Sequence, residues 1–281
     1  MLEVKNLCKA YPSFAVRDVS FNLPEGYILG FIGVNGAGKT TTIKSILNLV
    51  RPDSGQVKVL GKDMFSHEME LKQQIGFMLG PVDFYAKSKV SRIIEVYKRF
   101  FDEWNDGIFR DLSKRFHIDY NKKICELSTG MKVKLGIAMA LSHNAKLIIL
   151  DEPTSGLDPV VRNELLSLFQ EIVENGERSI LFSTHITSDL DKCADYIVFI
   201  KDGQLVANDT KNNLINRHLL IAGKKDDLTS NLRARLIGVK TNSYGFSGLI
   251  LREHFNENSD IRFETPNLED LMVYYNAEVR I

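Results

Sequence analysis

Gly33-Val34-Asn35-Gly36-Ala37-Gly38-Lys39-Thr40 limits what this chain can fold into more than any other stretch. It follows an apolar run, YILGFI. It precedes Ile43, Ile46, Leu47 and Val50, which recur at helical spacing. Strand, glycine loop and helix in that order form one unit, and the stretch matches GxxxxGK[ST] in full. Glycines let the backbone curl until several N–H groups face one concavity. The helix behind adds unpaired N–H groups and the positive end of its dipole. Such a cradle holds the phosphates of a nucleoside triphosphate. Asn35, Gly36, Ala37 and Gly38 form its wall. Lys39 is expected to reach the β- and γ-phosphates, Thr40 to ligate Mg²⁺, and Thr41 to donate to the α-phosphate.

Around this unit the chain alternates. LEVKNL, AVRDVSFNL and QVKVLG read as early strands, implying an antiparallel part. From about Ser88 to Phe116 the spacing is helical. Val90, Ile93, Ile94, Tyr97 and Phe101 make one stripe; Ile108, Leu112 and Phe116 make another beyond a turn at Asn105-Asp106-Gly107. A further helix is expected over Met131–Leu141. Then KLIIL, a helix over Arg162–Val173, SILFST, a short helix near Asp189 and YIVFIK follow, with Asp202-Gly203 turning the last into QLVAN. Strands alternating with helices predict an α/β fold with a mainly parallel core sheet. From about Lys211 the texture changes to strand-like LLIAG and LILRE between polar loops, read as a small appended module without a chemical motif.

Composition narrows the partners. Lys+Arg and Asp+Glu both number 36, so the formal charge is zero and no broad basic footprint for nucleic acid is expected. Cys8, Cys125 and Cys193 are too scattered for a disulfide framework or a zinc site, which fits a reduced, cytoplasmic setting. No run approaches the ~18 apolar residues of a membrane span, and no long apolar segment follows the start as in a secretory signal. If the protein serves a membrane, another chain is expected to supply the span.

Further stretches carry chemistry. Leu147-Ile148-Ile149-Leu150-Asp151-Glu152 reads as a buried strand ending in two carboxylates. Asp151 suits Mg²⁺, usually through water; Glu152 suits a general base that polarises the attacking water. Leu127-Ser128-Thr129-Gly130-Met131 precedes a helix. Ser128 is either a plain cap or part of a second phosphate-facing terminus, and Gly130 leaves room for a close approach.

Together, and in this order, these motifs resemble the ATP-binding cassette (ABC) family over about residues 1 to 210. The resemblance implies a P-loop NTPase fold of the ABC type. Its nucleotide-binding domain would span 1–210, with a helical subdomain about 86–145 and an accessory domain over 211–281. It implies that Tyr11 stacks on adenine, that LSTGM is the signature (departing from LSGGQ at Thr129 and Met131), and that Ser155-Gly156-Leu157-Asp158 is the D-loop. It implies that His185 contacts the γ-phosphate. Catalysis would then rest on Glu152, His185 and Lys39, and ATP binding also on Ser128, Gly130 and Asp158. The family places a glutamine after the strand IGFML; here Gly80 stands there, Gln73 and Gln74 precede the strand, and Asp83 is a candidate for part of that role. Family members work as head-to-tail dimers bound to a transmembrane permease. FYAKSKVSRIIEVYKRFF and PNLEDLMVYY resemble small bacterial ABC-2 exporters of peptides or drugs. The alternatives are an ABC ATPase acting on nucleic acid or ribosomes, and a nucleotide-gated regulator with little turnover. Neither long coiled-coil pattern nor second cassette is present to favour the first.

Overall fold

A computed structural model describes residues 1–256 and 261–277. Positions 257–260 and 278–281 of the expected accessory module lie outside the described residues. In chain order come strands β1 (Leu2–Tyr11), β2 (Phe14–Leu23) and β3 (Ile28–Ile32), helix α1 (Lys39–Ile46), strands β4 (Ser54–Val59) and β5 (Lys62–Asp63), and helix α2 (Glu68–Lys72). Next are β6 (Ile75–Leu79), α3 (Val90–Tyr97), α4 (Asp106–Arg115), α5 (Thr129–Leu141), β7 (Leu147–Asp151), α6 (Pro159–Val173), β8 (Ser179–Thr184), α7 (Thr187–Cys193) and β9 (Tyr196–Lys201). The chain continues through β10 (Gln204–Thr210), α8 (Lys211–Asn216), β11 (His218–Gly223), α9 (Ser230–Arg235), β12 (Leu236–Thr241), β13 (Phe246–Leu251), β14 (Arg262–Glu264) and α10 (Leu268–Asn276).

The central sheet has six strands in the order β10-β9-β3-β8-β7-β6. All neighbours run parallel except β9 and β10. A parallel strand needs cover on both faces, and ILGFI and LIILD are buried at every position. Alternate residues go to opposite sides. Ile28, Ile32, Ile148, Leu150 and Phe182 join the core made with α5, α6 and α7. Leu29, Phe31, Ile149, Leu181 and Val198 join the core made with α1 and the N-terminal sheet. Full burial of each such side chain contributes about 1.5–3 kcal/mol. Asp202 and Gly203 have φ of +49° and +78°, the geometry of a tight two-residue hairpin, and so β10 alone turns back.

The early strands form the expected antiparallel sheet, ordered β2-β1-β4-β5. α1 stops at Ile46, short of Val50, because Asn48 turns left-handed at φ +52°. The helical stretch is broken where the sequence suggested a turn, but Asn105 does more than turn. Its side-chain oxygen accepts from Gly107 N and Ile108 N and so caps α4. Phe101 leaves the stripe of α3 and stacks on His143, with ring centroids 3.7 Å apart. α6 starts earlier than expected, at Pro159, since Asp158 caps it and proline suits the first turn.

The C-terminal strands form a third sheet, β12-β13-β11-β14. Leu219, Ile221, Leu236, Phe246 and Ile250 give it a small core. Leu249, Leu268, Leu271 and Tyr274 instead belong to the large core. α10 packs on α7, and the Tyr275 ring meets Phe199 edge-on at 5.4 Å. Among the described residues no helix is long and apolar enough to cross a membrane.

Candidate functional site

The parallel strands end along one edge, where open α/β sheets collect their ligands. Register decides which residues meet there. Ile32 lies beside Thr184, and Asp151 lies beside Ser183. Gly33, Glu152 and His185 therefore leave the sheet at neighbouring places.

The glycine loop is built on left-handed turns at Gly36 (φ +82°) and Gly38 (φ +114°). Gly38 caps α1 without a side chain, so no cap side chain occupies the first N–H groups of the helix. Ala37 N donates to Val34 O at 3.1 Å, closing the curl. Asn35, Gly36 and Thr40 are exposed, Thr41 is half-buried, and Ala37, Gly38 and Lys39 are buried. The buried Lys39 ammonium donates to Gly33 O (2.7 Å) and Val34 O (3.3 Å) and pairs with Glu152 Oε1 at 3.0 Å. Glu152 Oε2 meets His185 Nδ1 at 2.8 Å. Lys39, Glu152 and His185 thus form one chain of polar contacts.

Beside it, Thr40 Oγ1 donates to Asp151 Oδ2 at 2.7 Å. Ser183 Oγ donates to Asp151 Oδ1 at 2.5 Å and accepts from Glu152 N at 3.0 Å. Ser183 therefore holds both carboxylate residues, a role the sequence reading did not assign. Its position two before His185 was the available signal. Glu152 itself is left-handed at φ +50°, a conformation costing about 1–2 kcal/mol outside glycine. The two bonds from its N–H, to Ser183 O and Oγ, hold it there. A hydroxyl paired with a carboxylate at a phosphate loop is the donor set a hard, oxygen-seeking Mg²⁺ requires, so the residues fit that ion.

Tyr11 is exposed at the end of β1, opposite Phe14. Phe14 reaches Gly38: a Cβ built on that glycine would lie 3.0 Å from the ring tip. The β1–β2 turn thus overlies the loop, and Lys9 Nζ lies 5.8 Å from the centre of the Tyr11 ring.

Ser128, Gly130 and Asp158 gather elsewhere. With Thr129, Gly156 and Leu157 they line a separate groove of about 390 Å³. Ser128 Oγ caps α5 by accepting from Met131 N at 3.3 Å, and Asp158 caps α6 by accepting from Val160 N and Val161 N. Among the described residues, none of the three bonds to the phosphate loop.

Gly80 stands at the end of β6 with φ +92° and open space around it. A side chain would be strained by the backbone, not by crowding. Asp83 pairs with Lys132 of α5 at 2.6 Å, and that is where its charge goes, not to the Thr40–Asp151 pair. Gln73 is tied to the helical arm through Phe100 O and Asp102 N.

A parallel sheet with a phosphate loop after one strand, carboxylates after a second and a histidine after a third defines a P-loop nucleotide-binding protein. The ABC transporter family profile matches residues 16–155. The bacitracin transport ATP-binding protein BcrA of Bacillus licheniformis is 32% identical over 209 residues, covering 73% of this chain and 68% of its own length. NatA, an ABC transporter ATP-binding protein of Bacillus subtilis, is 35% identical over 198 residues, covering 68% and 80%. A solved ATP-binding subunit of an ABC transporter superposes with a TM-score of 0.69 at 28% identity over 77% of this chain and 92% of its own. The MJ0796 cassette, solved as a dimer with ADP and phosphate, shares the fold with a TM-score of 0.66 at 22% identity, covering 75% and 98%. The chain belongs to the ABC transporter family and is one of its ATP-binding, ATP-hydrolysing subunits.

Proposed function

We propose that this subunit powers a separate membrane permease that exports peptides or drugs, and that it works as a head-to-tail pair with a second copy or a related subunit. The Lys39–Glu152–His185 chain beside the Thr40–Asp151 pair carries the reading. The loop N–H groups and Lys39 would bind the β- and γ-phosphates. An incoming triphosphate competes with Glu152 for the Lys39 ammonium. Released from that pair, Glu152 is free to orient water and take its proton, while His185, held by Oε2, faces the γ-phosphate. Thr40 and Asp151 would hold Mg²⁺, which supplies charge neutralisation on the phosphates. Tyr11 would offer a stacking face to the base.

One chain covers only one side of the phosphates. Ser128 and Gly130 open on a different groove, and so the other side is supplied by a partner's α5 terminus. Asp158 would then lie at the junction. ATP joins the subunits and its hydrolysis loosens them, a ligand-driven two-state switch. Glu152→Gln is expected to keep ATP binding, reduce turnover about 100-fold or more, and accumulate a dimer on size-exclusion chromatography with ATP. Undiminished turnover refutes the base assignment; a monomer at saturating ATP refutes the sandwich.

The permease reading is supported by an apolar groove of about 770 Å³ between β6 and α3. Phe84, Tyr85 and Phe100 are 51%, 73% and 67% exposed at its rim, a cluster of exposed aromatics of the kind that marks a protein-interaction face. Phe84→Asp is expected to abolish co-purification with the permease while the isolated chain still hydrolyses ATP. Peptide or drug cargo is supported by relatives named for bacitracin transport and, in Escherichia coli YbhF, for probable multidrug transport. Gly80 favours slow hydrolysis; an ATPase assay on the isolated chain separates a motor from a nucleotide-gated regulator. The division at residue 210 is supported by the separate third sheet.

A further inference from the structure

Behind the site lies a buried polar knot. Asp189 stands one turn into the segment that follows His185 and is fully buried. A carboxylate there must be matched by donors. Thr154 Oγ1, also fully buried, donates to Asp189 Oδ2 at 2.6 Å. Arg162 Nε donates to Oδ1 in a short ion pair, and Arg162 Nη2 reaches Ser188 Oγ at 2.7 Å.

Each member belongs to a different working segment. Thr154 lies within the turn closed by Ser155 N donating to Glu152 O at 3.2 Å. Arg162 lies one helical turn past Asp158, whose carbonyl accepts from Arg162 N at 3.0 Å. Asp189 lies four residues past His185. An apolar cluster would fill this space with less desolvation, whereas a directional ion pair fixes the register of α7 against α6.

We propose that Asp189 is a positioning residue: through Thr154 and Arg162 it ties the Glu152 turn, the Asp158 cap and the His185 segment into one unit. This rests on the hydrolytic roles proposed above. Movement of Glu152 and His185 is then passed directly to Asp158 at the subunit junction. The packing of α6 on α7 does not depend on the knot alone. Lys192 Nζ donates to Asn163 Oδ1 at 2.5 Å, and Gln170 Nε2 to Lys192 O at 3.0 Å, across the same pair of helices.

The test uses the full-length chain with Asp189→Asn, Thr154→Val and Thr154→Ser, each measured for ATP affinity, turnover and melting temperature. Asp189→Asn and Thr154→Val are expected to lose about tenfold or more in kcat. Their KM and ATP dissociation constant should stay within about threefold of wild type. Thr154→Ser, which keeps the hydroxyl, should restore most of the turnover lost in Thr154→Val. Wild-type turnover in Thr154→Val overturns the proposal. So does an equal loss in Thr154→Ser, or a loss of ATP affinity that tracks the fall in melting temperature. If Asp189→Asn fails to fold, the Thr154 pair still decides. Glu152→Gln, run alongside, separates the two readings. Its full activity would remove the catalytic assignment. Its inactivity beside a wild-type-like Asp189→Asn and Thr154→Val overturns the positioning role alone.

Discussion

Lys39 spends its charge on two backbone carbonyls and one carboxylate inside the fold, and the same donors suit phosphate oxygens. Replacing it by alanine removes charge-assisted bonds worth about 1.5–3 kcal/mol each. Lys39→Ala is therefore expected to weaken ATP binding by about tenfold to 100-fold, measured by isothermal titration; wild-type affinity would exclude the phosphate role. The expectation that it binds phosphate was readable from GxxxxGKT. That it pairs with Glu152, 113 positions along the numbering from 39 to 152, was not. Ser183 shows the same limit. Its place two before His185 set it near the site, but nothing local shows that it bonds two carboxylate residues, because strand register brings it to Asp151.

At the scale of elements, the glycine loop is braced by a hairpin from the other end of the domain. Gly203, in the β9–β10 turn, donates to Ala37 O at 2.9 Å, and its carbonyl accepts from Arg17 N at 2.8 Å. A Cβ on Gly203 would sit 1.8 Å from Ala15 O. Gly203→Ala is expected to cost about 2 kcal/mol or more in stability and to weaken ATP binding, as chemical denaturation and ATP titration would show; unchanged values would mean the hairpin does not brace the loop. The turn itself was plain in the sequence from Asp202-Gly203. The buried strands and α5 were also legible, because their apolar runs and caps are local. β5, β12, β14, α2, α8 and α9 were not. They are short, and their pairing comes from tertiary neighbours, not from periodicity.

Across the whole molecule, a buried histidine at the start of β11 ties α8 to α10, and Tyr275 of α10 in turn meets Phe199 of β9 and accepts from Lys201 Nζ through its carbonyl at 2.9 Å. His218 Nδ1 donates to Leu214 O at 2.6 Å, and Nε2 meets the Tyr275 hydroxyl at 2.9 Å. Burial holds the His218 imidazole below its ordinary value of 6.5, and burial lowers His143 likewise. The unfolded chain then binds these protons more readily than the folded one. Their contribution to stability is complete above pH 6.5 and is lost as pH falls from there through the lowered folded values. The melting temperature is expected to drop between pH 7.5 and about pH 5.5, and His218→Gln to flatten that drop; an unchanged slope would remove His218 as the cause. The sequence by itself determined the nucleotide cradle, the alternation of strand and helix and the family, because each is written in contiguous residues whose backbone or periodicity is local. Only the tertiary structure decided that Lys39, Glu152 and His185 meet, that Ser128 and Asp158 line a different groove, and that α10 packs on α7. Those facts follow from sheet order and register, which depend on how distant segments share one core.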